Sequence, residues 1–228
     1  MGVTISLKSR HDGFEFSAYR AKPTDARRGG LVVMQEIFGV TADMREICDA
    51  YAADGYEVIA PSVFDRVQPG FLAEVNEAGY AAGRAASAAS PIDQVMGDVQ
   101  ACIDALSGPV FYVGYCFGGF MGWMAASRCK GLSAVSGYYG RRIAEHLADK
   151  PLCPIILHFG KHDPHIPMSE VEPISEAYPD IPVYLYEAGH GFCRRSSKDY
   201  DAESDRLSRL RTLQLFHRSG GAKGEMGG

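Results

Sequence analysis

A chain of 228 residues, 46% hydrophobic and 22% charged, has the make-up of a soluble globular protein and the length for one well-filled α/β domain or two small ones. A formal net charge of -5 offers no basic footprint for nucleic acid, and no run approaches the roughly 18 apolar residues that span a bilayer. The opening M-G-V-T-I-S-L-K-S-R lacks a signal-peptide core, so the expectation is a cytoplasmic protein without nucleic-acid or membrane partners.

Two extended segments, V-T-I-S-L (3–7) and F-E-F-S-A-Y (14–19), flank Asp12-Gly13, a hairpin signal. The nearly continuous apolar run G-L-V-V-M-Q-E-I (30–37) suits a strand buried on both faces. Thr41 can cap a helix whose Met44, Ile47, Cys48 and Tyr51 fall at helical spacing; Gly55 stops it, and Y-E-V-I-A (56–60) is the next strand. Residues 62–89, with Pro69-Gly70 and an alanine-rich stretch, read either as a small cap over a ligand crevice or as a long surface connection with one extra helix. Ser90-Pro91 reads as a cap and first-turn proline for a helix to about Leu106. Strand V-F-Y-V-G-Y (110–115) is followed by a helix from about Phe117 to Arg128. Further strands lie at 133–139, 155–159 and 183–187, with helices near 141–149 and 168–178. The last helix spans about Ser197 to His217, with Leu207, Leu210 and Leu213 as its apolar stripe, and 219–228 reads as a loose tail. Alternation of this kind implies a single doubly wound α/β domain over 1–218 with a mostly parallel sheet flanked by helices.

The six cysteines form no C-x-x-C pair, so free thiols in a reducing compartment are expected. No metal and no cofactor are expected. The nearest ligand set, His158, His162, His165 and Asp163, lies along a strand end and loop without converging side chains.

Cys116 stands in V-G-Y-C-F-G-G between a strand and a helix, the context of a nucleophile elbow, where the helix N-terminus favours a thiolate and a developing oxyanion. Alone, this could equally be a buried thiol in a tight turn. The partners follow in the chain order of an α/β-hydrolase: Asp163 after strand I-I-L-H-F, then His190 after V-Y-L-Y-E, flanked by Gly189 and Gly191. His158 and His11 read as structural, His162 and His165 do not complete the order, and His146 and His217 lie on helices. The oxyanion donors implied are the backbone N–H groups of Phe117 and Ile37. Glu36, among Met34, Ile37 and Phe38, reads either as a buried carboxylate needing a partner, for which Arg194 is the candidate, or as a solvated loop glutamate.

Taken together, Q-E-I-F-G-V (35–40), G-Y-C-F-G-G (114–119), G-Y-Y-G (137–140), H-D-x-x-I-P (162–167) and E-A-G-H-G-F-C-R (187–194) resemble the dienelactone hydrolase family over nearly the whole chain. The resemblance implies an α/β-hydrolase fold with a cap-like insertion at 62–89 and a Cys116–His190–Asp163 triad acting through a thioester. It also implies a Glu36 that interacts with Cys116 and Arg194, and a small lactone or ester substrate such as dienelactone, opened during aromatic breakdown. Substrate contacts implied are Arg194, Tyr80 and Tyr138, with Asn76 standing where the family has a second carboxylate-binding arginine and Arg84 one turn later, either reaching in or on the surface. A monomer or small homo-oligomer is expected. The alternative from another class is a non-hydrolytic thiol-redox sensor or ligand-binding protein on the same scaffold, motivated by the missing arginine and by Cys193 close to His190.

Overall fold

Strands β1 (Val3–Lys8) and β2 (Glu15–Ala21) pair antiparallel around a turn in which Gly13 has φ 75°. In the computed structural model, whose described residues are 2–221, this hairpin is the antiparallel end of an eight-stranded sheet. β2 pairs antiparallel with β4 (Tyr56–Pro61). From β4 through β3 (Gly29–Met34), β5 (Val110–Tyr115), β6 (Leu132–Tyr138), β7 (Ile155–Gly160) and β8 (Val183–Tyr186), all neighbours run parallel. The spatial order is β1-β2-β4-β3-β5-β6-β7-β8.

Every residue of β3, β4, β5 and β7 is buried, as strands covered on both faces must be. The helices that cover them are α1 (Ala42–Ala53), α2 (Glu77–Ala88), α3 (Ile92–Asp104), α4 (Phe117–Arg128), α5 (Met168–Ala177) and α6 (Ala202–Phe216). The result is one doubly wound α/β unit. Among the described residues, no helix is long and apolar enough to cross a membrane.

Several boundaries differ from the sequence reading, each for a local reason. The strand expected over 30–37 ends at Met34, and Gln35 onward turns away from the sheet. The helix expected near 141–149 is a single 3-10 turn, Ile143–His146. Ser90 does not cap α3; its hydroxyl donates back to the Ala86 carbonyl at 2.8 Å. The last helix begins at Ala202 rather than Ser197, because Asp201 is its cap and accepts from the Ser204 N–H at 2.7 Å. Its inward face is also not the leucine stripe. Ser204, Ser208, Thr212, Leu215 and Phe216 are buried, whereas Leu210 is 44% exposed. Thr212 meets a polar seam in the core, with its Oγ1 at 2.8 Å from Ser136 Oγ and 2.7 Å from Tyr138 Oη. Of the expected tail, Ser219–Gly221 continue the chain in a π-type turn with Gly221 buried, and 222–228 lie outside the described residues.

The 62–89 segment contains a 3-10 turn (Val63–Arg66), an irregular stretch, and α2. It contributes one extra helix, and that helix lines the crevice at the carboxyl ends of the central strands.

Candidate active site

Cys116 closes β5 and caps α4 with φ 53° and ψ -111°, a conformation that costs a non-glycine residue about 1–3 kcal/mol. The turn holds because its backbone is fully occupied: Cys116 N–H donates to the Tyr138 carbonyl at 3.0 Å, and the Gly119 and Phe120 amides donate to the Cys116 carbonyl at 2.9 and 3.2 Å. The surrounding glycines serve close approach of main chains. A Cβ on Gly114 would sit 2.1 Å from the Gly118 carbonyl oxygen, and one on Gly119 would sit 2.2 Å from that of Tyr138.

The β3 loop is tied to this elbow by the Gly118 N–H, which donates to the Gln35 carbonyl at 3.1 Å. Ile37 follows, its carbonyl pressed by α2 at Gly83, where a Cβ would come within 2.4 Å. Neither the Ile37 nor the Phe117 N–H donates a hydrogen bond among the described residues, so two free amides flank the sulfur's loop and helix start.

Asp163 lies after β7, and its Oδ2 is 2.6 Å from Nδ1 of His190, while its Oδ1 accepts from the His165 N–H at 2.8 Å. Asp163 is buried and His190 half-buried. Burial opposes the charged imidazole, but the Cys116 sulfur and the Asp163 carboxylate outweigh it and hold the His190 pKa well above the ordinary histidine value. Tyr139, at φ 38°, packs its ring 5.0 Å from that of His190, and His165 meets the same imidazole edge-on at 5.2 Å.

Glu36 is buried and accepts from Arg194 Nη1 at 2.6 Å, with Arg194 itself 7% exposed. The Arg194 guanidinium lies over the Phe38 ring at 5.1 Å, and Phe38 meets Tyr80 edge-to-face. Burial disfavours the Arg194 charge, and Glu36 more than restores it, leaving its pKa raised.

Cys116, His190, Ile37, Phe117 and Tyr80 share one cleft of about 430 Å³. Three residues implied as substrate contacts are elsewhere. Asn76 is exposed and caps α2, its Oδ1 accepting from the Gly79 N–H at 2.8 Å and its Nδ2 donating to Glu74. Tyr138 is 1% exposed and turned toward α6, because alternation along β6 sends its neighbours to the other face. Arg194 is held by Glu36 and lines a separate cavity of about 120 Å³ rather than the cleft. The cleft instead includes Arg84 and two residues the sequence did not single out, Arg141 and Arg142. The doubled arginine after G-Y-Y-G was the available signal, and on its own it reads as a solvated turn.

Residues 16–220 match the dienelactone hydrolase family. A carboxymethylenebutenolidase of Pseudomonas putida is 33% identical over 93% of this chain and 94% of its own, and a putative carboxymethylenebutenolidase of Synechocystis is 28% identical over 94% and 98%. Among solved structures, a putative dienelactone hydrolase from Klebsiella pneumoniae superposes with a TM-score of 0.79 at 24% identity, covering 95% of this chain and 99% of that one. A dienelactone hydrolase-like promiscuous phosphotriesterase from metagenomic libraries superposes with a TM-score of 0.75 at 19% identity, covering 95% and 98%. With the family match running from β2 to the end of the described residues, the chain is a hydrolase of the dienelactone hydrolase family.

Proposed function

We propose that the protein opens a small lactone or ester, dienelactone-like in kind, through a Cys116–His190–Asp163 triad and a thioester acyl-enzyme. The observation that carries this reading is the Asp163–His190 contact at 2.6 Å with His190 and Cys116 facing the same cleft. The Cys116 thiolate attacks the carbonyl carbon, and the oxyanion is held by the free amides of Phe117 and Ile37. Collapse breaks the bond to the leaving oxygen, which takes the proton from His190. A water then loses its proton to His190 and attacks the thioester, releasing the acid and restoring the Cys116 thiolate beside protonated His190. Asp163 keeps the imidazole in the tautomer that serves both steps. Glu36, in the loop after β3 and held by Arg194, tunes the thiol through its charge.

The relatives named carboxymethylenebutenolidase support a lactone substrate; a role in aromatic breakdown, a cytoplasmic location and a monomer or small oligomer belong to the same proposal. The decisive experiment measures turnover of dienelactone and of short 4-nitrophenyl esters by wild type and Cys116→Ala. Expected is loss of both activities in the variant, together with an acyl adduct on Cys116 seen by mass spectrometry in rapidly quenched wild type. Full turnover in Cys116→Ala overturns the mechanism.

A further inference from the structure

The charge of the catalytic cleft is of one sign. Arg84 on α2 faces it from one wall and Arg141 and Arg142, on the loop after β6, from another, while among the described residues no Asp or Glu lines it. None of the three is firmly engaged. Arg84 makes no ion pair among the described residues. Arg141 Nε is 3.7 Å from Glu170 with 62% of its side chain exposed, and Arg142 pairs with its neighbour Glu145 at 3.0 Å with 54% exposed. Pairs this exposed contribute about 0–1 kcal/mol, so an incoming anion exchanges with them readily.

Arg142 carries a second mark. Its φ of 74° is one of three positive values at non-glycine positions among the described residues, and the other two are Cys116 and Tyr139, the latter beside His190. A bulky residue held in that region costs roughly 1–3 kcal/mol, and the strain here presents a guanidinium over the Phe120 ring at 5.4 Å. Phe120 stands one helical turn beyond Cys116 on α4, so this charge is displaced from the sulfur along the helix by on the order of 5 Å. Between them the cleft wall is apolar, made by Phe117, Phe120 and Met121. The two positions from which the family resemblance draws substrate charge are committed elsewhere: Asn76 caps α2 and Arg194 is buried on Glu36.

We infer that Arg84, Arg141 and Arg142 form an anion subsite at the rim of the cleft, selecting esters or lactones whose terminal carboxylate lies several bonds from the scissile carbonyl. The substrate class rests on the ester-hydrolase reading above; the subsite itself does not. An extended, apolar-bodied monoanion then spans from the Cys116 floor to the arginines, whereas a compact lactone acid leaves its carboxylate short of them.

Two measurements test this. The first compares kcat/KM for 4-nitrophenyl hexanoate with that for the mono-4-nitrophenyl esters of succinic, adipic and suberic acids. Expected is a preference of about tenfold or more for a longer monoanion over the neutral ester, weakened by salt. In Arg141→Gln/Arg142→Gln and in Arg84→Gln that preference collapses through KM, and the corresponding lysine variants recover part of it. The second, which needs no turnover, measures alkylation of Cys116 by 6-maleimidohexanoate, whose carboxylate lies several bonds from the reacting carbon, and by neutral N-hexylmaleimide. The maleimidohexanoate-to-hexylmaleimide rate ratio falls about fivefold or more in the double glutamine variant. Ester turnover without charge preference, or a preference and an alkylation ratio unchanged in the glutamine variants, overturns the subsite and leaves the hydrolase reading intact. No turnover of any ester, with the alkylation ratio still arginine-dependent, overturns the hydrolase reading and leaves the anion subsite standing.

Discussion

At the scale of single residues, the site is dominated by the cost of burying charge. Glu36 and Arg194 have side chains 7% and 9% exposed, and each is tolerable only because of the other. Glu36→Gln or Arg194→Met alone is expected to cost about 3–5 kcal/mol by leaving an uncompensated buried charge, and the double variant less than the sum. Urea unfolding midpoints of the four proteins check this; strict additivity refutes the coupling. At Gly119 the limit is steric. Its absent Cβ leaves room for the Tyr138 carbonyl, so Gly119→Ala forces α4 away from β6. Residue types were readable at both places, since Glu36 lay among apolar neighbours and Gly119 in the elbow. Their partners were not, because 158 residues separate Glu36 from Arg194 along the chain.

Elements depart from their sequence patterns where a neighbouring element sets the terms. Asn76 satisfies the start of α2, and an exposed cap of this type is worth about 1 kcal/mol. Asn76→Ala should therefore lower stability by about 1 kcal/mol without raising KM; a rise in KM with no loss of stability would return Asn76 to the pocket. On α6, hydrophobic spacing picks out Leu207, Leu210 and Leu213, yet Ser204, Ser208 and Thr212 turn inward because the sheet beneath is polar there. The centre of that seam is His158, fully buried on β7, with Nδ1 at 2.8 Å from Tyr186 Oη and Nε2 at 3.1 Å from Ser136 Oγ. Tyr184 stacks on its ring, Tyr138 packs tilted against it at 4.4 Å, and Arg211 reaches Tyr186 at 2.9 Å. Burial first, and the Arg211 charge second, depress its pKa from 6.5 to about 3. The unfolded chain therefore binds the extra proton between those values, and this term loses stability as pH falls from the ordinary histidine range toward 3. The loss at pH 5 is about 2 kcal/mol. In His158→Gln the fall in unfolding free energy between pH 7 and 5 should be shallower by roughly that amount, and an unchanged acid limb refutes it.

Across the whole molecule, the antiparallel hairpin, the cap segment and α3 are joined by one charge cluster that runs from exposed Asp12 to buried Asp98. Arg66 donates to Asp98 at 2.9 Å and to Asp12 at 2.7 Å, and Asp98 is fully buried. Burial raises the Asp98 pKa against the pull of Arg66. Arg66→Met is expected to cost about 3–5 kcal/mol at pH 7. That penalty should shrink toward pH 5, because a carboxyl whose folded pKa stands above its unfolded value gains stability by taking up a proton as pH falls. A pH-independent penalty would point to lost packing of Arg66 on Phe14 instead.

The amino-acid order by itself determined the α/β alternation, the strands buried on both faces, and a family resemblance resting on five short motifs. Those features are local: apolar runs, caps, and glycines beside one cysteine carry their meaning within a dozen residues. Only the tertiary structure decided which charges meet. It turned Tyr138 under α6 and brought Tyr139 to His190, because strand alternation and a positive φ at Tyr139 are set by the sheet and loop around them. It committed Arg194 to Glu36 and Asn76 to a helix cap, and it brought Arg141 and Arg142 to the cleft that Arg84 lines. Parallel strands joined by crossovers bring distant loops to one sheet end, so the composition of that end is a property of the folded chain.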